Sequence, residues 1–337
     1  MSTSVSPTDA LAAAGGPLTL AEIERAHSLL SDKVVRTPSV PWVGSDLGSM
    51  LAPGTRVTAK LELFQKTGSF KARGALLNVL GLTDDQRARG ITAISAGNHA
   101  VAAAYAAAEV GVSAKVVMIA TANPRRVELA KRYGAEVVFA ENAHVGFALV
   151  EKIAQSEGRT LIHPFEGRTT AMGTSTLGFE FMGQVPGLDA VIVPIGGGGL
   201  CAGLSSAVKA MNPGCLVLGV EPEGADSMTR SFAAGEPQGI DAVRTIADSL
   251  GAPYALPITF EMCRRNVDKI VLVSDDALRA AMRMTLLDMK LAVEPAGAAA
   301  LAALVGPLRD ELAGAHVGLI VCGANIDVAT YARLITE

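Results

Sequence analysis

Short apolar segments alternate with helical patterns along most of this 337-residue chain. Such apolar runs predict strands, and periodic segments between them predict helices. The predicted strands are residues 57–63, 91–95, 114–119, 136–139, 190–195, 217–220 and 317–322. The predicted helices are residues 20–31, 70–80, 100–108, 124–133, 200–211, 275–288 and 296–304. This alternation predicts an α/β fold, with parallel sheets that carry helices on both faces.

The start of the chain is predicted to be a mobile tail. Residues 1–17 are small and punctuated by Pro and Gly, and chain ends of this kind are usually poorly ordered. Order is expected to begin at Thr19, because Thr19 and Glu22 fit the capping box of a helix that ends near Ser31. The tail lacks the basic segment and the apolar run of a signal peptide.

Charge and cysteine content limit the partners of this chain. The net charge is −4, so no dominant attraction to nucleic acid or to an anionic membrane is expected. The four cysteines have no close paired spacing, so neither a zinc site nor a disulfide framework is predicted. No apolar stretch reaches the length of about 18 residues that predicts a membrane span. We therefore expect a soluble, cytoplasmic protein.

Four consecutive glycines join a predicted strand to a predicted helix. They are Gly196, Gly197, Gly198 and Gly199, followed by Leu200. Backbone N–H groups of such a loop can converge on an anion, and the helix adds the positive end of its dipole. The spacing fits neither the dinucleotide fingerprint nor the P-loop, which favours a phosphate monoester as ligand. A tight turn between closely packed elements is the alternative interpretation.

A lysine lies at the start of the predicted helix 70–80, in the motif Thr-Gly-Ser-Phe-Lys-Ala-Arg-Gly. Ser69 is predicted to cap this helix, which places Lys71 in its first turn. The helix dipole and burial both lower the pKa of a lysine in that place. A lysine with a lowered pKa can form a Schiff base and accept a proton. A solvated lysine on an amphipathic helix is the alternative.

Two further motifs follow predicted strands, where open α/β sheets place their ligands. In the segment Ser-Ala-Gly-Asn-His, residues 95–99, free amides at a helix start suit a carboxylate, and Asn98 adds an amide side chain. For His99 a structural role is the alternative. Cys322, in Val-Cys-Gly-Ala-Asn, is either a buried apolar side chain or a group that faces a ligand.

Together these motifs resemble those of the fold-type II pyridoxal-phosphate enzymes, in the branch of threonine and serine dehydratases and serine racemases. The resemblance runs from residue 18 to residue 335 and includes Val-Glu-Pro-Ala-Gly at residues 293–297. It implies two open, twisted, mostly parallel sheets of the tryptophan synthase β type. It also implies a large cofactor-binding domain of residues 18–84 and 160–337, and a small domain of residues 85–159. We further expect a homo-oligomer, either a dimer or a tetramer.

The resemblance implies a role for each motif. Lys71 would carry pyridoxal 5'-phosphate as a Schiff base and remove the Cα proton of the substrate. Phe70 would flank the ring, Asn98 would bind the phenolic oxygen, and Cys322 would face the pyridine nitrogen. The cofactor-binding set would be Phe70, Lys71, Asn98, Gly196, Gly197, Gly198, Gly199, Leu200, Glu294 and Cys322. The substrate carboxylate would bind Ser95, Ala96, Gly97, Asn98 and His99.

The chain departs from this branch at a metal site and at a racemase position. Relatives bind a divalent cation on a Glu-Pro-x-x-Ala-x-Asp segment, where this chain offers Glu221, the Ala225 carbonyl and Ser227. A Mg²⁺ ion or another divalent or monovalent cation there is an open alternative to an empty turn. Ala96 stands where racemases of the branch have a second Ser. This difference predicts a lyase with weak or absent racemase activity.

We therefore expect an ammonia-lyase, a dehydratase that converts a β-hydroxy L-amino acid of the threonine or serine type to a 2-oxo acid and ammonia. The sequence ends soon after Asn325, so we expect no regulatory domain of the biosynthetic threonine dehydratases, and a catabolic role. Arg168 and the segment 173–176 depart from the usual dehydratase pattern, which makes 3-hydroxyaspartate or phenylserine alternative substrates. An amino-acid racemase is a further alternative. A non-catalytic protein that binds a phosphate ligand would not need Lys71.

Overall fold

The computed structural model of this chain describes residues 16–95 and 97–337. The predicted tail therefore lies almost entirely outside the described residues, and so does Ala96, one of the five predicted substrate residues. The strands, in chain order, are β1 (Ser39–Pro41), β2 (Arg56–Leu61), β3 (Ile91–Ile94), β4 (Ala114–Ile119), β5 (Glu136–Ala140), β6 (Thr160–Leu161), β7 (Ala190–Pro194), β8 (Leu216–Pro222), β9 (Lys269–Val273) and β10 (His316–Val321).

Helices connect these strands. The α-helices are α1 (Leu20–Leu30), α2 (Ser45–Met50), α3 (Lys71–Leu80), α4 (Asp84–Arg89), α5 (Asn98–Val110), α6 (Pro124–Arg132), α7 (Ala143–Glu157), α8 (Arg168–Gln184), α9 (Gly199–Met211), α10 (Ser227–Ala234), α11 (Pro257–Asn266), α12 (Asp275–Met289), α13 (Pro295–Val305) and α14 (Val328–Thr336). Short 3₁₀ turns lie at Glu62–Phe64 and Asp248–Leu250. Within the described residues, no helix is both long enough and apolar enough to cross a membrane.

The strands form two sheets. The large sheet has the order β1-β2-β10-β7-β8-β9, and all its neighbours are parallel except β1 and β2. The small sheet has the order β5-β4-β3-β6 and is parallel throughout. The small sheet comes from the middle of the chain, and the large sheet comes from both flanks. The predicted α/β class with two mostly parallel sheets is confirmed.

The first described helix shows how local sequence sets its boundary. The Thr19 hydroxyl accepts a hydrogen bond from the Glu22 amide (3.3 Å), and the Glu22 carboxylate accepts one from the Thr19 amide (2.8 Å). This reciprocal pair satisfies two amides that would otherwise lack partners at the helix start. The predicted capping box is confirmed, and α1 ends at Leu30, one residue before the predicted end.

The predicted serine cap of α3 is wrong. The helix begins at Lys71, and no side chain caps it. Ser69 instead forms a β-bridge with Gly323, and the Phe70 amide donates to the Cys322 carbonyl at 3.1 Å. The Ser69 hydroxyl is buried and has no hydrogen-bond partner among the described residues. The chain that leads into α3 is therefore held by the end of β10, and Lys71 still lies in the first turn.

Candidate active site

A cavity beside the glycine loop brings together all ten predicted cofactor residues. We call it the glycine-loop cavity. Its predicted lining residues are Phe70, Lys71, Asn98, Gly196, Gly197, Gly198, Gly199, Leu200, Glu294 and Cys322. Its remaining lining residues, which the sequence analysis missed, are Phe165, Pro194, Ser249, Leu250 and Ala296. Motifs that are more than 200 residues apart in the sequence therefore meet in one site.

Lys71 is the amine of this cavity. Its Nζ donates a hydrogen bond to the Pro164 carbonyl at 2.6 Å and lies 5.1 Å from the centre of the Phe70 ring. Burial lowers the pKa of Lys71 to about 8, although Cys322 and Glu294 act to raise it. Loss of water penalises the ammonium form. The amine can therefore gain and lose a proton near physiological pH.

The glycine loop can hold a phosphate only with its backbone. A Cβ atom on Gly197 would lie 2.2 Å from the Phe165 ring, and one on Gly199 would lie 2.6 Å from the Phe165 carbonyl oxygen. Gly198 has φ +88°, a conformation that side chains other than glycine rarely adopt. The 13-residue helix α9 starts at Gly199 and directs its free amides towards this loop. The arrangement fits the phosphate of pyridoxal phosphate.

A closed set of polar contacts holds Asn98 in place. Asn98 Nδ2 donates a hydrogen bond to Glu294 Oε1 (2.7 Å), and Asn98 Oδ1 accepts one from Asn325 Nδ2 (2.7 Å). The Arg126 guanidinium donates to Glu294 Oε2 at 3.0 Å. Burial raises the pKa of Glu294, while Arg126 and Asn98 act to lower it. Arg126 was not predicted from the sequence, because no motif surrounds it.

Cys322 is a neutral group in this cavity. Its side chain is buried, and burial raises the pKa of its thiol well above the ordinary value. A neutral thiol does not favour a protonated pyridine nitrogen in the way that a carboxylate would. Cys322 therefore suits the role predicted for it, which is to face the pyridine nitrogen of the cofactor.

A second cavity, the aromatic cavity, opens next to Lys71 and has a volume of about 180 Å³. Four of the predicted substrate residues line it, namely Ser95, Gly97, Asn98 and His99. Its apolar walls, which the sequence analysis missed, are Ile94, Ile119, Phe147, Pro164, Phe165, Ala252 and Pro253. Its other polar lining residues are Arg126, Asp248 and Ser249. The segment predicted to bind the substrate carboxylate thus lies beside an apolar compartment.

Two histidines near Lys71 are neutral. Burial lowers the pKa of His99 to about 3 and that of His163 to about 4. His99 Nε2 is hydrogen-bonded to the Ile162 carbonyl at 2.8 Å. His163 Nδ1 accepts from the Glu166 amide at 2.9 Å. Both rings therefore hold the loop that carries Pro164 and Phe165. The contact of His99 with the Ile162 carbonyl agrees with the structural role that the sequence analysis gave as the alternative for this residue.

The candidate metal residues form a helix cap. Glu221 accepts hydrogen bonds from the Met228 and Thr229 amides (2.9 and 2.7 Å) and from the Thr229 hydroxyl (2.6 Å). Burial raises the pKa of Glu221 to about 7. Ala225 lies in the turn before α10, and Ser227 is the first residue of that helix. The Ser227 hydroxyl has no partner in the described part of the chain. The described residues contain no cluster of three or more His, Cys, Asp or Glu that could hold a metal.

Comparisons with known proteins agree with this geometry. The family described as "Pyridoxal-phosphate dependent enzyme" matches residues 34–323. Phenylserine dehydratase of Ralstonia pickettii is 59% identical over 281 residues, which cover 83% of this chain and 86% of the relative. The structure of maize serine racemase has a TM-score of 0.88 at 34% identity, and covers 95% of this chain and 98% of its own. That of a threonine deaminase from T.th. has a TM-score of 0.85 at 39% identity, with coverages of 92% and 99%.

The resemblance drawn from the motifs is thereby confirmed, since the matched region contains Lys71, the glycine loop and Cys322. This chain belongs to the family of pyridoxal-phosphate-dependent enzymes.

Proposed function

We propose that this protein is a dehydratase for β-hydroxy amino acids with an aromatic side chain, of the phenylserine class. The reaction removes the β-hydroxyl and the amine and gives a 2-oxo acid and ammonia. The aromatic cavity beside Lys71 and the Ser95–His99 loop carries this proposal. The 59% identity to a phenylserine dehydratase supports the same substrate class.

The size and the lining of the aromatic cavity suit a phenyl ring. Its volume of about 180 Å³ exceeds the roughly 150 Å³ of an apolar cavity that accommodates benzene. Phe147 and Phe165 form part of the wall, and the Tyr254 ring lies behind both, at 6.3 and 6.4 Å between ring centres. The methyl group of threonine would leave most of this apolar surface without a contact.

The lining of the glycine-loop cavity supports a proposed task for each residue towards the cofactor. The amides of the glycine loop and of α9 would hold the phosphate, Asn98 would bind the phenolic oxygen, and Cys322 would stay neutral beside the pyridine nitrogen. When bound, pyridoxal phosphate supplies an electron sink for the carbanion at Cα. Lys71 would attach it and would accept the Cα proton at Nζ.

The substrate would be oriented from two sides. Its carboxylate would accept hydrogen bonds from the free amides at the start of α5, next to Ser95 and Gly97. Its aromatic ring would lie against Phe147 and Phe165 and displace water from the cavity. Binding at both ends fixes Cα near Lys71 Nζ, and such positioning lowers the barrier to proton transfer.

A substrate screen tests this proposal. Release of 2-oxo acid by the holoenzyme is measured with phenylserine, threonine, serine and 3-hydroxyaspartate. We expect kcat/KM for phenylserine to exceed that for threonine by at least about tenfold, because a larger apolar group is bound. The variant Ala252→Leu fills part of the aromatic cavity and should lower kcat/KM for phenylserine more than for serine. A preference for threonine or 3-hydroxyaspartate would contradict the proposal.

The visible absorbance of the purified protein separates an enzyme from a non-catalytic binding protein. The wild type should show the absorbance of covalently held cofactor, and Lys71→Ala should lose that band. The racemase alternative is tested in the same preparation, by formation of D-serine from L-serine. We expect this to be much slower than release of pyruvate, because Ala96 lacks an acid or base. D-serine formation at a comparable rate would contradict that expectation.

We also propose a homo-oligomer with the predicted division into domains. The homo-oligomer is an expectation that rests on the family resemblance. The two sheets support a division into residues 18–84 with 160–337 and residues 85–159. Light scattering on the holoenzyme tests the oligomer, and a monomer would contradict it. The cytoplasmic location stays a prediction.

A further inference from the structure

Arg126 spans the cleft between the two sheets. It lies in the first turn of α6, which connects β4 and β5 of the small sheet, and its side chain is 2% exposed. Its guanidinium reaches residues that belong to the large-sheet side. It donates to the Asn325 carbonyl (2.9 Å), Asp248 (2.5 and 3.1 Å), the Ser249 hydroxyl (3.1 Å) and Glu294 (3.0 Å). All these contacts would be lost if the cleft opened at α6.

The neighbouring arginine behaves differently. Arg125 has a side chain that is 42% exposed and pairs with Glu128 on the same helix. Such surface pairs contribute little, because water solvates both charges. Two adjacent arginines therefore lie in different environments, and of these two only Arg126 contacts residues of the cofactor site.

The contacts of Arg126 close a ring of hydrogen bonds. Arg126 Nε donates to the Asn325 carbonyl, and the Asn325 amide donates to Asn98 Oδ1. The Asn98 amide donates to Glu294 Oε1, and Glu294 Oε2 accepts from Arg126. Asn98 and Glu294 line the glycine-loop cavity, and Arg126 lines the aromatic cavity. The ring thus joins the two cavities.

We propose that Arg126 is a positioning residue: by closing this ring it orients Asn98 and Glu294 towards the cofactor, and by pairing with Asp248 it holds α6 over the substrate. Arg126 also stabilises the ionised form of the buried Glu294. Only that form offers both carboxylate oxygens as acceptors to Asn98 and Arg126. This inference goes beyond the proposed substrate, because it holds for whichever amino acid the enzyme converts.

Paired arginine variants of the holoenzyme test the inference. Arg126→Met should lower kcat/KM by about 10- to 100-fold and shift the visible absorbance of the bound cofactor, because Asn98 and Glu294 lose their orientation. Arg126→Lys keeps the charge, so it should recover part of the absorbance and of kcat/KM. The matched control Arg125→Met should stay within about twofold of the wild type. If Arg126→Met showed the same cofactor absorbance and the same kcat/KM as Arg125→Met, the inference would be overturned.

The variant Asp248→Asn separates the role of Arg126 in the ring from its role across the cleft. It changes a side chain that is not fully buried. The Asp248 side chain is 52% exposed, so Asp248→Asn should fold. It weakens the contact across the cleft and leaves the ring intact. We expect KM for the amino acid to rise, with kcat and the cofactor absorbance nearly unchanged. An unchanged KM in Asp248→Asn would overturn the role of Arg126 across the cleft, whether or not Arg126→Met folds. Activity lost in Arg126→Met with unchanged absorbance and no recovery by Arg126→Lys would overturn its role in the ring.

Discussion

The burial of Lys71 predicts how fast the apoprotein captures its cofactor at different pH values. Only the neutral amine attacks the aldehyde of pyridoxal phosphate. The pKa of Lys71 is lowered to about 8 from an ordinary value of 10.5. At pH 7.5 roughly a quarter of the Lys71 amines are then neutral, against about 0.1% of exposed lysines. The buried amine is therefore available about 200-fold more often at this pH.

The assay mixes apoprotein with pyridoxal phosphate between pH 6 and 10 and follows the visible absorbance. The rate should rise about tenfold per pH unit below pH 8 and level off above it. A free lysine derivative serves as the control, and its rate should continue to rise up to about pH 10.5. A protein rate that rises steadily to pH 10 would refute the argument from burial.

The same pKa shift affects the stability of the apoprotein. Between about pH 8 and 10.5 the unfolded chain binds more protons at Lys71 than the folded chain does. The free energy of unfolding should therefore rise with pH in this window. The gain is at most about 3 kcal/mol, because the amine still borders a cavity. Urea unfolding at pH 8 and 10 should show a smaller rise in stability for Lys71→Met than for the wild type. An equal rise in both proteins would contradict the lowered pKa of Lys71.

Three further substitutions test the packing around the site by urea unfolding. Glu166 accepts hydrogen bonds from two amides at the start of α11 (2.7 and 3.1 Å), so Glu166→Ala should cost about 1 kcal/mol, and no loss would argue against a capping role. Arg73 is fully buried between Glu62 and Glu180, so Arg73→Met should cost about 3–5 kcal/mol; a cost below about 1 kcal/mol would contradict this. Gly203→Ala would place a Cβ 2.1 Å from a carbonyl of α8 and should cost about 1–3 kcal/mol or more. In the control Gly183→Ala, the Cβ meets nothing within 4 Å, and the stability should stay equal or rise.

The sequence predicted most of the buried strands, but several helices were not predicted, among them the central helix α8. The predicted strand 114–119 agrees with β4 at both ends, because a continuous apolar run between turn residues has one simple interpretation. Helix α8 escaped prediction because it is buried on nearly all sides and rich in Thr, Ser and Gly. Its Thr174, Ser175 and Thr176 hydroxyls donate to carbonyls of the same helix. Polar residues can therefore lie in a core without an apolar stripe that reveals the helix.

The residues of the site likewise divide into those that local motifs predict and those that only the packing of the fold brings together. The cofactor residues follow one another in local motifs, so the sequence was sufficient to propose them. Arg126, Asp248 and Phe147 lie in segments without a motif, and they meet only because α6 and α7 of the small sheet face the large sheet. Which side chains meet across a cleft depends on how the two sheets pack, and this information is not present in any short segment.

The position of the Phe165 ring limits how the substrate specificity of this enzyme can be changed by substitution. The ring lines both the glycine-loop cavity and the aromatic cavity, and it packs against Gly197. A smaller side chain at position 165 would enlarge the space for a substrate and would also remove the support behind the phosphate loop. Substrate range and cofactor affinity therefore cannot be adjusted independently at this position. A change in specificity that preserves the cofactor is more accessible through Phe147 or Ala252, which line only the aromatic cavity.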